Sequence, residues 1–336
     1  MHGIDDVARA AGVSTATVSR ALRGLPNVSS ATRERVRRAA EELGYVPSPS
    51  AAALASGRTR TIGLMTPWVN RWFFSNVIEG AERALRKVGF DALLYSFAIS
   101  EHGREPEVDP DVLRRRVDGI LVVGLPLDER EVAALEELRK PIVFVGAGAP
   151  GHALVGVDDE ALAREATEHL VELGHTRIGH ITGTPDDLRP WTPPVARRRG
   201  WYEALSAAGV VPQNTWEEFG YFDRAGARVS THRLLDRCPD LTALFVASDE
   251  MAMGVLTAAR ERGLRVPEDL SVIGVDGHEL GDVIGLTTMA QPVVEQGALA
   301  AAMVLELIAD NAVARSVTFP ARLVIRTTTG PPGGRP

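Results

Sequence analysis

Between Gly12 and Gly24 the sequence reads GVSTATVSRALRG, a run of hydroxyl, methyl and guanidinium groups in helical order. With Ser14 as N-cap, a helix from Thr15 to about Arg23 buries Val18 and Leu22, four residues apart. Thr15, Ala16, Ser19 and Arg20 then point outward. Such a face suits the major groove of a double helix: an arginine can pair bidentately with guanine, and the methyls of Thr or Ala can meet that of thymine. Charge supports a polyanionic partner for this region alone. Residues 1–60 hold nine arginines against five acidic residues, whereas the rest of the chain holds 28 basic and 39 acidic residues. Phosphate neutralisation by basic groups supplies most non-specific nucleic-acid affinity, so the head is the part expected to meet nucleic acid.

Two further helices must hold that one in place. IDDVARAAG carries Ile4, Val7, Ala8 and Ala11 at i, i+3, i+4, i+7, and Gly12 follows as a C-cap that tolerates positive φ. The small Ala8 and Ala11 permit close crossing, giving a helix-turn-helix. A third helix is capped by Ser29 or Ser30, has Val36, Ala39, Ala40 and Leu43 as its core stripe, and ends at Gly44.

Beyond the head, apolar runs TIGLMTP, DALLYSF, VDGILVVGL, PIVFVGA, RIGHITG, ALFVASD and SVIGVDG alternate with helical patterns such as NVIEGAERALRKVG, LAREATEHLVELG and MAMGVLTAARERG. This alternation predicts an α/β body of doubly wound parallel sheets, and two such sheets fit. Ligands of open parallel sheets bind at the carboxyl ends of strands, and Trp68, Trp72, Phe73 and Phe74 follow the first strand there.

Several chemistries are excluded. The single cysteine, Cys238, permits no internal disulfide framework or cysteine-rich zinc module. GAGAPG, Gly146 to Gly151, matches a dinucleotide-binding spacing, but Pro150 and the extended HALVGVD after it leave no helix N-terminus for a pyrophosphate, so it reads as a turn. His169, His175 and His180 are spaced by six and five, which does not place them on one helix face, and no metal is expected. No Walker loop, H-E-x-x-H or nucleophile elbow occurs; an enzyme is not expected, and no cofactor is called for. Without a signal-like or membrane-spanning apolar run, the expected location is the cytoplasm. A transport binding protein accounts only for the body and requires export, and an enzyme accounts only for the sheets.

DVARAAGVSTATVSRAL followed by VSSATRERVRRAAEELGYVPSPSAAALASGRTRTIGLM closely resembles the lactose-repressor/galactose-repressor (LacI/GalR) family of bacterial transcription regulators, densely over the first 66 residues. The resemblance implies base-edge contacts by Thr15, Ala16 and Arg20, and phosphate contacts by Ser14, Thr17, Ser19 and Thr32. Arg23, also expected to contact DNA beside the half-site, stands where relatives often have Asn, and Gly3 where they often have a Thr cap. SPSAAALAS implies a hinge helix that orders on DNA and inserts Leu54 into the minor groove; it is too short to persist alone.

The same resemblance implies a helix-turn-helix domain over 1–47, a hinge over 48–59 and an effector-binding and dimerisation domain over 60–336. The last comprises an N-subdomain of about 60–158 and 291–318 and a C-subdomain of about 159–290 and 319–330, of periplasmic-binding-protein type, with crossings near Asp158, Gln291 and Phe319. The cleft is expected to bind a small effector through Trp72, Phe73, Phe74, Arg197, Tyr221, Phe222, Ser248, Asp276 and Gln291. Ser248 stands where relatives often have Asn. A sugar is the favoured effector and a nucleobase or nucleoside corepressor the alternative, because an Arg and an Asp can serve neighbouring hydroxyls while aromatic faces stack on a pyranose. The implied assembly is a homodimer on a near-palindromic operator, and the C-terminal TTTGPPGGRP offers no leucine heptads for a tetramer.

Overall fold

The computed structural model describes residues 2–22, 24, 26–45, 58–97, 99–100, 103–104, 109–184, 192–309 and 314–333. Arg23, Leu54 and most of the expected hinge lie outside the described residues. The chain divides into two compact units, residues 1–60 with 115–118, and residues 61–114 with 119–336.

The first unit contains α1 (Ile4–Ala11), α2 (Thr15–Leu22) and α3 (Ser30–Glu42). Their shared core is Val7, Ala8, Ala11, Val18, Ala21, Val36, Ala39 and Ala40, small enough that three short helices pack closely. Leu22 is half-buried, and Ala21 occupies the core beside Val18. Gly12 ends α1 at φ 63°, and Arg35 Nε donates to the Ala11 carbonyl at 2.9 Å, satisfying an orphan acceptor. Gly3 precedes α1, and Asp6 supplies the missing cap from within: its Oδ2 accepts the Gly3 N–H at 2.9 Å. Asp118, also in this unit, accepts the backbone N–H groups of Thr59 and Arg60 at 2.9 and 2.8 Å.

The second unit is two sheets with helices on their faces. In chain order it runs β1 (Thr61–Thr66), α4 (Trp72–Lys87), β2 (Asp91–Ser96), a small hairpin of β3 (Ile99–Ser100) and β4 (Gly103–Arg104), β5 (Gly119–Val123), α5 (Glu129–Glu136), β6 (Ile142–Val145) and β7 (Ala153–Val157). It continues with α6 (Asp159–Glu172), β8 (Ile178–Thr182), α7 (Pro193–Ala207), β9 (Glu217–Phe219), α8 (Arg224–Arg237), β10 (Ala243–Val246) and α9 (Asp249–Glu261). Last come β11 (Ser271–Asp276), the short α10 (Gly281–Ile284), β12 (Thr287–Ala290), α11 (Val293–Ile308), β13 (Val317–Phe319) and β14 (Arg322–Val324).

The first sheet has the order β13-β7-β6-β5-β1-β2 and is parallel throughout. The second has the order β14-β12-β11-β10-β8-β9 and is parallel except at its edge, where β14 runs antiparallel to β12. The chain thus passes between sheets after β7, after β12 and after β13. Phe319 pairs with Val157 in the first sheet, so the last passage falls beyond Phe319 rather than at 318.

Each lobe has its own core. One gathers Ile62, Leu64, Leu121, Val143 and Val155 from the first sheet against α4 and α11; the other gathers Ile178, Leu244, Phe245, Ile273 and Trp201. In the first, α4 and α11 cross at a reciprocal pair of glycines: a methyl at Gly80 would overlap the Val294 carbonyl oxygen, and one at Gly297 that of Val77. The clash is with backbone at both points, so no side chain can rotate away. Gly297→Ala is therefore expected to lower stability by about 1–3 kcal/mol, the range for overpacking, read as a fall in denaturant midpoint at unchanged m.

Candidate functional site

On the first unit, α2 presents Thr15, Ala16 and Arg20 exposed, with Thr17 and Ser19 half-buried. Ser14 Oγ accepts the Thr17 N–H at 3.2 Å and lies 2.9 Å from Thr17 Oγ1; Ser29 Oγ does the same for Thr32, at 3.2 and 2.9 Å. The hydroxyls thus cap α2 and α3 while clustering at two helix N-termini, where the backbone dipole favours anions.

On the second unit, a cavity of about 820 Å³, open mouth included, opens where strand ends from both sheets converge. Trp68 follows β1, Gly146 follows β6, Ser248 follows β10, Asp276 ends β11 and Gln291 follows β12. This is the carboxyl-end placement that doubly wound sheets impose. One wall is apolar, with Trp68, Phe73 and Phe74, the last two meeting edge-to-face at 5.3 Å. The other is polar, with Asp159, Arg197, Ser248, Glu250, Asp276 and Gln291.

Arg197, in the second turn of α7, is buried. Its Nε and Nη2 reach Asp159 Oδ1 at 2.8 and 2.7 Å, and Nη1 donates to the Ala247 carbonyl. Burial raises the Asp159 carboxyl above its usual range, and Arg197 pulls it back. Gln296 Nε2 donates to Gln291 Oε1, and Gln291 Nε2 to Asp276 Oδ1, each at 2.9 Å, so α11 of one lobe orients an acid of the other.

Burial pushes the Asp276 carboxyl up to about 7; Arg197 and the Gln291 hydrogen bond oppose the rise, and Glu250 adds to it. Behind it lies Asp249, fully buried: Oδ2 accepts the N–H groups of Gly277 and His278 at 2.9 and 2.8 Å, and Oδ1 accepts the Thr288 hydroxyl at 2.7 Å. Burial first and Asp276 second raise Asp249 well above the usual carboxylate range. Asp249 thereby fixes the loop that carries Asp276, a residue held at φ 127°.

Of the residues expected in the cleft, Phe73, Phe74, Arg197, Phe222, Ser248, Asp276 and Gln291 line it; Trp72 and Tyr221 do not. Successive helical residues project about 100° apart, so Trp72, Phe73 and Phe74 cannot share one direction. The Trp72 ring instead stacks on His278 at 5.1 Å, its Nε1 donates to Glu279, and its backbone N–H donates to Glu250 Oε2 at 3.1 Å. Tyr221 contributes its carbonyl, which accepts from Arg71 Nη1 at 2.9 Å; the same nitrogen donates to the Phe222 carbonyl. Arg71 also lies 3.9 Å over the Trp68 ring. Arg71, Asp159 and Glu250 line the cleft and were missed in the sequence. A usable signal was present for Asp159 and Glu250, since each is a carboxylate in the first turn of a helix that leaves a strand end. Among the described residues no group of His, Cys, Asp and Glu could hold a metal ion.

A helix-turn-helix unit joined to a two-lobed unit with a polar cleft defines a ligand-responsive DNA-binding regulator. Residues 3–48 match the model of bacterial regulatory proteins, lacI family, and residues 167–329 match that of a periplasmic binding protein-like domain. The HTH-type transcriptional regulator CelR of Thermobifida fusca is 35% identical over 96% of this chain and 95% of its own. A solved transcriptional regulator CelR-cellobiose complex shares 32% identity, covers 98% of this chain and 100% of that one, and superposes with a TM-score of 0.72. A lac repressor dimer bound to operator and the anti-inducer ONPF shares 29% identity over 98% of this chain and 99% of that one, with a TM-score of 0.84. The chain belongs to the lacI family of bacterial regulatory proteins. It is a DNA-binding transcriptional regulator and not an enzyme, and among the described residues no helix is long and apolar enough to cross a membrane.

Proposed function

We propose that this regulator is a cytoplasmic repressor that binds a near-palindromic operator as a homodimer and changes its DNA affinity when a small carbohydrate enters the cleft. The observation that carries the effector class is the division of the cleft into an aromatic wall of Trp68, Phe73 and Phe74 and a wall with Arg197, Asp276 and Gln291. Carboxylate and amide oxygens accept from hydroxyls, a guanidinium donates to them, and an aromatic face packs on a sugar's C–H face. The solved complex of the relative CelR likewise holds a sugar, cellobiose.

At the DNA, Thr15, Ala16 and Arg20 face base edges, and Ser14, Thr17, Ser19 and Thr32 meet phosphates. Fluorescence anisotropy on a palindromic duplex from the protein's own upstream region, at fixed salt, tests both halves. Tight, salt-dependent binding that one sugar abolishes is the expected result, with Arg20→Ala weakening it by about 1–3 kcal/mol and relaxing base preference at one position of each half-site. Indifference to every sugar, with a response to a purine, would transfer the effector to the nucleobase class. Equal affinity for unrelated duplexes would remove the repressor reading.

A further inference from the structure

We propose that Arg71 and Trp72 form a clasp between the two lobes that sets the closing equilibrium of the cleft, and hence the effector concentration at which the regulator responds, with Trp72 acting without touching the effector. The proposal rests on the cleft being the effector site.

Both residues sit at the start of α4, in the first lobe, and all their bridging partners are in the second. Arg71 Nη1 donates to the carbonyls of Tyr221 and Phe222. These are two consecutive residues in the left-handed region, at φ 57° and 49°, a conformation non-glycine residues adopt only when their surroundings impose it. Anchoring both carbonyls places the Phe222 ring in the cleft wall. Arg71 is itself largely removed from water, which lowers its pKa, and Asp223 and Glu250 oppose that loss. Next to it, Trp72 spans to three further groups: its N–H to Glu250, its indole N–H to Glu279 and its ring to His278.

The bridge therefore grips a turn, a helix start and the loop after β11, at points separated in sequence by 150 to 207 residues. These contacts exist only while the lobes are together. Whatever free energy they contribute weights the closed state, and a ligand that requires that state binds more weakly in proportion to its lost population. Because Arg71 lines the cleft, its substitution alone cannot separate clasping from direct contact. Trp72 and His278 lie outside the lining, so they can.

The test uses the full chain with Trp72→Ala, His278→Ala and the double variant, measured by small-angle scattering without added sugar and by calorimetric titration with the sugar found to release operator. A larger radius of gyration is expected for each single variant, with effector affinity about tenfold weaker. The double variant is expected to be no worse than the worse single one, the signature of one shared contact. Trp72→Phe, which keeps a ring on His278, should recover much of the loss. Since each lobe has its own core, melting temperatures should remain close to wild type. Unchanged scattering and affinity in both single variants, or strictly additive losses, would overturn the clasp. If wild-type protein binds no compound offered, the effector reading fails, while scattering still decides the clasp.

Discussion

Replacing Arg197 with alanine is expected to abolish the effector response while leaving operator binding intact. The guanidinium is buried among Asp159, the Ala247 carbonyl and the cleft, and its charge acts on Asp276. Two losses follow from one substitution. The effector loses donors whose charge-assisted hydrogen bonds contribute about 1.5–3 kcal/mol each, so calorimetric affinity should fall a hundredfold or more. The C-terminal lobe loses one partner of a buried ion pair, which typically costs about 3–5 kcal/mol because Asp159 is left uncompensated. Arg197→Lys should do little better, since a single ammonium cannot reach Asp159 through two nitrogens and a carbonyl through a third. Anisotropy on operator should show near wild-type affinity that no sugar alters. Retained induction in Arg197→Ala would show that the effector does not bind against this wall.

The helix-turn-helix was legible almost residue by residue because its helices are short, amphipathic and capped: the stripe of Val7, Ala8 and Ala11, Gly12 at φ 63° and the Ser29 cap are local signals. The strands buried on both faces, such as β5 and β6, were equally plain as unbroken apolar runs. The edge strands β9, β13 and β14 were not, although β2, also at a sheet edge, was readable in DALLYSF. β9, β13 and β14 are three residues each, half-buried and interrupted by Glu217, Thr318 or Arg322, so neither periodicity nor apolarity marks them. Residues that act through side-chain-to-backbone reach were also hidden. Arg71 beside Asn70 reads as a solvated charge, and its acceptors are carbonyls 150 residues away. Adjacency misled in the opposite sense: Trp72 and Tyr221 neighbour residues that line the cleft, but backbone geometry sends them elsewhere.

Asp249 was missed for a related reason, and its variants should separate charge from hydrogen bonding. As the first residue of α9 it reads as an ordinary acidic residue favoured by the helix dipole, yet it accepts from Gly277, His278 and Thr288 in a site closed to water. Asp249→Ala orphans three donors, and a loss of about 3–5 kcal/mol is expected, together with release of the loop that carries Asp276 and hence of effector affinity. Asp249→Asn is different. Its amide oxygen can accept both backbone N–H groups, its nitrogen can donate to the Thr288 hydroxyl, and the repulsion between two buried carboxylates disappears.

That difference has a pH signature. Asp249 and Asp276 are both raised above unfolded carboxylate values near 3.9, so between about pH 4 and 7 the folded protein holds more protons than the unfolded chain. Unfolding free energy must then fall as pH rises across that window, with the Asp276 share levelling off above its value of about 7. Wild-type protein should melt lower at pH 8 than at pH 5.5 through this contribution. Asp249→Asn should flatten the slope and match or exceed wild-type stability at pH 8, while Asp249→Ala should be destabilised at both. An unchanged slope in Asp249→Asn would mean that Asp276 alone carries the proton and that the second carboxylate is held ionised by its three donors.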